Sequence, residues 1–128
     1  MAIDLNHTIV HVHDRVASAT FITEILGLPA PTPFGSFLVV QADNGVSLDY
    51  AHAEGDITAQ HYAFLIGEDD FEVIYSRVLE RQIPYFADPA GRHPQEINHG
   101  SGGRGFYFAD PSGHWYEVLT RPYGSGGA

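Results

Sequence analysis

Two runs in this chain place a histidine at the same point of a strand-like pattern, Asn6-His7-Thr8-Ile9-Val10 and Gln60-His61-Tyr62-Ala63-Phe64, 54 positions apart (7 to 61). Each is answered further on by a carboxylate just beyond a turn: Asp49 after Asp43-Asn44-Gly45, and Glu117 after Asp110-Pro111-Ser112-Gly113. Both the glycines and the acids are offset by 68 (45 to 113 and 49 to 117). Duplicated strands carrying His, carboxylate, His and carboxylate can converge all four on one divalent ion. His7, His61 and Glu117 are the expected ligands. Asp49 is a fourth ligand or a supporting group, because its side chain is one methylene shorter than that of Glu. The chain has no cysteine, so the donors are nitrogen and oxygen only, which suits Fe, Mn, Zn, Ni or Co as divalent ions. Two histidines and one carboxylate with open positions is the donor set of non-haem iron oxygenases; a second carboxylate is closer to a Lewis-acid site with bound water.

The elements that must position these groups repeat as well. Residues 3–13 alternate as a strand, with Ile3, Leu5, His7, Ile9 and His11 on one side and Val10 and Val12 on the other. Asp14 is a helix N-cap, Phe21, Ile22, Ile25 and Leu26 follow helical spacing, and Gly27 stops the helix. The stretch 29–33 is irregular or an edge strand, and strands 36–41 and 46–53 flank the turn at Asp43-Asn44-Gly45. The second half runs the same way: a strand over 60–66, then an amphipathic helix through Phe71, Ile74, Tyr75, Val78 and Leu79. A short strand over 84–87, a long polar loop over 88–103, and strands 104–109 and 114–120 complete it. The fold class expected is α+β, two duplicated βαβββ modules at 3–53 and 59–121, with strands curling round a metal-binding cavity. A single domain over 1–123 and a flexible tail at 124–128 complete the organisation. Because side chains two apart on a strand share a face, each module has one face under its helix and a second that carries the ligands. Trp115, Phe37 and Val39 are expected to line the pocket beside them.

Composition narrows the function classes. With 128 residues and 44% hydrophobic content the chain can bury a working core. Its net charge of −10, without any lysine, disfavours nucleic acid and anionic membranes as partners. No apolar run reaches bilayer length and no basic-then-apolar leader opens the chain, so the expected location is the cytoplasm.

From Asn6-His7, through the helix ending Leu26-Gly27-Leu28 and His61-Tyr62-Ala63-Phe64, to Phe106-Tyr107-Phe108-Ala109-Asp110-Pro111-Ser112-Gly113 and Glu117, the chain resembles the vicinal oxygen chelate superfamily. That superfamily includes glyoxalase I, bleomycin-resistance proteins, fosfomycin thiol transferases and type I extradiol dioxygenases. The resemblance implies a metal that binds two adjacent oxygens of a substrate or intermediate. Asn98-His99, then Tyr107, Asp110 to Gly113 and Glu117 fit the extradiol ring-cleavage signature. In that signature Glu117 is a ligand, Tyr107 a hydrogen-bond donor beside the metal, and His99 an acid/base. His93, in Gly91-Arg92-His93, resembles the same local motif. Extradiol enzymes carry a further acid/base histidine after the fourth-strand turn, where this chain has Val46 and Ser47.

The function expected is therefore a metal-dependent enzyme acting on a small oxygenated molecule, dioxygenase-like and of extradiol type. A glyoxalase-type isomerase or lyase is the alternative, and Asp49 as a fourth ligand would favour it. A bleomycin-resistance-like protein that binds a drug without catalysis is a further alternative. Uncovered sheet edges, and the dimers formed by relatives of this size, imply a homodimer with ligands shared between chains.

Overall fold

A computed structural model describes residues 2–124. The chain divides into two compact units, Met1–Thr58 and Ala59–Ala128.

In the first unit, β1 (His7–Val12) is followed by α1 (Arg15–Leu26), β2 (Thr32–Phe34), β3 (Phe37–Gln41) and β4 (Ser47–His52), in the sheet order β1-β4-β3-β2. The pairing of β1 with β4 is parallel, so α1 is the crossover between the two halves of the sheet. Its start and stop are built as the sequence predicts. The Asp14 carboxylate accepts the Ala17 N–H at 3.0 Å, and Gly27 takes the left-handed conformation, φ 74°. Ala19, Ile22 and Ile25 of α1 are buried, as are Val10, Val12, Val40, Leu48 and Tyr50 from alternate positions of the strands. The opposite sheet face carries His7, Ile9, Asp49, Val39 and Phe37. His52 falls on the other side: its imidazole bonds the His13 carbonyl oxygen at 2.8 Å and the Glu54 carboxylate at 2.9 Å.

In the second unit, β5 (His61–Leu65), α2 (Glu68–Glu80), β6 (Gly105–Ala109) and β7 (Trp115–Leu119) form a three-stranded sheet in the order β5-β7-β6, again with a parallel β5–β7 pair. Tyr62, Phe64, Phe106, Phe108, Tyr116 and Val118 share one face. Phe71 and Tyr75 of α2 pack on it, their rings 5.6 and 5.7 Å from that of Phe106. Leu79, expected on the packed stripe of α2, is half exposed.

The short strand expected over 84–87 contracts to bridges at one residue. Phe86 exchanges backbone hydrogen bonds with Tyr107 (2.9 and 2.8 Å) and is bridged to Pro94. Pro84 has no N–H to continue the Phe86–Tyr107 pairing toward Ala109, which is why that ladder does not extend. At Gly105 a Cβ would lie 2.6 Å from the Val118 carbonyl oxygen, so β6 approaches β7 at a point where no larger residue fits.

Of the tail expected at 124–128, residues 125–128 lie outside the described residues. Gly124 donates its N–H to Ser101 Oγ at 2.9 Å. Among the described residues no helix is long and apolar enough to cross a membrane.

Candidate functional site

The parallel registers place the ligand candidates by one geometric rule in both units. In the second, His61 faces Trp115 and Ala63 faces Glu117, so His61 and Glu117 are diagonal neighbours on one sheet face. In the first, His7 faces Ser47 and Ile9 faces Asp49, the same diagonal. The duplication seen in sequence is thus a duplication of register, and each unit holds one histidine–carboxylate pair.

The two pairs differ in reach. Glu117 is buried, 2% exposed, and its Oε1 lies 3.0 Å from His61 Nε2. Asp49 is held locally instead, accepting from Ser47 Oγ at 2.9 Å, while His7 Nδ1 bonds the Asn6 side-chain oxygen at 2.7 Å. Among the described residues no group of three or more His, Asp or Glu is arranged to hold an ion. The second unit nevertheless fits a share of one. Two donors at about 2.1 Å from an octahedral ion and at right angles to each other are about 3 Å apart, the separation that His61 and Glu117 show. One imidazole nitrogen and one carboxylate oxygen are also the donor types that a borderline divalent ion takes.

Glu117 has a second set of partners that the sequence did not reveal. Tyr123 donates its hydroxyl to Oε2, and the Tyr107 hydroxyl lies 2.6 Å from that of Tyr123. A carboxylate only accepts, so the Tyr123 proton points at Glu117 and Tyr123 in turn accepts from Tyr107. The series Tyr107–Tyr123–Glu117–His61 is continuous, and the Tyr107 ring stands 5.6 Å from the His61 ring. Burial, and then the hydrogen bond to Glu117, push the Tyr123 phenol far above its ordinary value. Burial raises Tyr107 as well, with the Glu117 charge adding to it. Both phenols are therefore held protonated. Tyr123 lies past the end of β7, where no periodicity marks it; the only signal is an aromatic residue six positions beyond Glu117.

The remaining expected residues fall in three places. Trp115 stands beside this series, 5.5 Å from the Phe86 ring and 6.4 Å from that of Tyr107, with its indole N–H donated to the Pro89 carbonyl. His93 and His99 sit on the exposed loop between α2 and β6. His93 Nδ1 is 3.5 Å from Glu96, and His99 precedes the 3₁₀ turn Gly100–Gly102. Phe37 and Val39 line a cleft of about 700 Å³ in the first unit, whose wall also includes His7, Ile9, Phe34 and Asp49. That volume lies within the usual range for small-molecule sites. His114 is a core residue: it is buried and its Nδ1 accepts the Gln60 N–H at 3.0 Å.

No family model matches the chain. Among curated proteins it is 32% identical over 121 residues to glutathione transferase FosA of Serratia marcescens, spanning 89% of this chain and 78% of that one. Among solved structures it is 57% identical to oxidase ChaP-H2, with a TM-score of 0.96 over 98% of this chain and 99% of that one. Oxidase ChaP-H1 is also 57% identical, with a TM-score of 0.94 over 96% and 99%. With this likeness along the whole chain, and with a histidine–carboxylate diagonal in each of its two units, the protein belongs to the vicinal oxygen chelate superfamily.

Proposed function

We propose that the protein is a divalent-metal-dependent oxidase of the dioxygenase type, acting on a small oxygenated organic molecule. The observation that carries this reading is the His61–Glu117 pair with the phenols hydrogen-bonded behind it, in a chain more than half identical to an oxidase along nearly its whole length. A divalent ion held there would supply Lewis acidity and, as iron, electron transfer to dioxygen. His61 and Glu117 would hold it. Tyr107 would stand at the edge of the site with its hydroxyl donated to Tyr123, and Trp115 and Phe86 would keep water from that side. His93 and His99, on the adjoining loop, compete for the acid/base role.

The test is oxygen uptake. Protein stripped with chelator and reloaded anaerobically with Fe(II) is expected to consume oxygen with catechols or hydroquinones, and His61→Ala should abolish the uptake. A second reading, thiol transfer to an antibiotic, is favoured by the FosA relative. Arg104, the one basic side chain over 100–104, is engaged by Glu68 at 3.2 Å and Glu72 at 2.7 Å and stacks on Phe71, which leaves it a poor partner for an anionic substrate and weighs against that reading. Glutathione consumption with fosfomycin, without oxygen uptake on any phenol, would replace the oxidase reading. A glyoxalase-type lyase would instead isomerise a glutathione hemithioacetal without consuming oxygen.

We propose further that the working form is a homodimer in which His7 and Asp49 of one copy complete the donor set begun by His61 and Glu117 of another. A His7→Ala chain refolded with a Glu117→Ala chain is expected to regain one metal site per heterodimer. A mixture that stays metal-free, or a monomer by light scattering, would reject it.

A further inference from the structure

We infer that Tyr123 is a positioning residue for the metal-binding carboxylate: it takes up one oxygen of Glu117 so that only the other is offered beside His61. This rests on the reading of Glu117 and His61 as donors given above.

Three observations carry it. The two oxygens of Glu117 have different partners, His61 Nε2 on Oε1 and the Tyr123 hydroxyl on Oε2. A carboxylate with two free oxygens can swing between one-oxygen and two-oxygen binding of an ion, whereas one whose second oxygen is held by a donor is fixed in the first mode. Tyr123 is also not a passing surface contact. About two-thirds of the residue is exposed, yet its hydroxyl is turned inward onto Glu117 and Tyr107.

The backbone holds it in that pose from both sides. Before it, Arg104 N–H bonds Thr120 Oγ1 at 2.8 Å, and Thr120 N–H bonds the Arg104 carbonyl at 2.9 Å. After it, the Gly124 N–H bonds Ser101 Oγ at 2.9 Å. Residues 121–124 are thus a strap tied at both ends to the loop before β6, with Tyr123 its inward-pointing side chain. Ser101 has the left-handed φ of 56°, an uncommon conformation for a residue with a Cβ, and its hydroxyl is the anchor for Gly124.

The phenol of Tyr107 does not substitute for that of Tyr123, because its own proton is directed to the Tyr123 oxygen. Removing the Tyr123 hydroxyl therefore frees Oε2 and leaves Tyr107 without its acceptor in one step.

Cobalt(II) titration of stripped full-length protein, followed by visible absorption and calorimetry, tests this without any turnover. Wild type is expected to bind one equivalent with His61 and Glu117 among its donors. Tyr123→Phe should weaken binding by a factor on the order of 10 to 100 and change the cobalt d–d band as the freed oxygen enters coordination. Ser101→Ala, which loosens the strap but keeps the phenol, should give a smaller loss of the same kind. Melting curves of the metal-free variants should match wild type. Tyr123→Phe with unchanged affinity and an unchanged band would overturn the inference while leaving the oxidase reading intact. A wild-type protein that binds no cobalt would overturn both. Loading with Fe(III) supplies a further arm: an intense phenolate-to-iron band that disappears in Tyr123→Phe would make Tyr123 a ligand and overturn the positioning role.

Discussion

A hundredfold excess of manganese(II) or cobalt(II) over its dissociation constant is expected to raise the melting temperature of the wild-type protein by roughly 10 °C and to leave Glu117→Gln unmoved. An ion that binds only the folded chain adds about 2.7 kcal/mol at that excess, and a domain of this size shifts by a few degrees for each kcal/mol. Glutamine keeps the volume of Glu117 and still offers a carbonyl oxygen to Tyr123, but it places an amide where a charged oxygen faced His61. The metal-free variant should melt no lower than wild type, since burying a carboxylate costs several kcal/mol that its partners only partly recover. Scanning calorimetry with and without metal separates the two effects. An equal metal-induced shift in the variant would remove Glu117 from the site.

Phe106→Ala is expected to cost about 3–5 kcal/mol. Phe106 is fully buried and its ring meets those of Phe71, Tyr75, Tyr85 and Phe108. The void left by truncation is walled by aromatic rings on α2 and β6, which cannot collapse into it without moving the helix. Because Phe106 points away from the face that carries Tyr107, the folded fraction should keep wild-type metal affinity at low temperature. Urea denaturation should show a lower midpoint with an unchanged slope. A loss below about 1 kcal/mol would mean that α2 is not fastened through this ring.

Much of this architecture was legible in the residues because it rests on period and punctuation. The Asp14 cap, the Gly27 stop and the alternation of His61 to Leu65 are local signals, and the structure places each as expected. The duplication was legible because Asp49 and Glu117 sit at one fixed offset, and parallel pairing turned that offset into the same diagonal in both units. The strand expected over 84–87 shrinks to bridges at Phe86 because its composition suits a strand while Pro84 lacks the N–H that would continue the ladder. Tyr123 was invisible for a different reason. What places it is a hydrogen bond from Gly124 to Ser101, a contact across 23 residues that no local pattern encodes.

The parallel pairing of β5 with β7 also sets an order of events in folding. His61 and Glu117 are 56 residues apart in sequence, and nothing brings them together until α2, the long loop and β6 have been laid down between them. Closing a loop of that length is an entropic cost that the chain meets late, after the local helix has formed. The pair is therefore a reporter of completion: a partly folded second unit, whatever its helix content, has no place for a metal ion. On the proposed reading of the pair as metal donors, capture of an ion is expected to follow the slowest refolding phase and not to precede it, as stopped-flow cobalt binding during refolding would show.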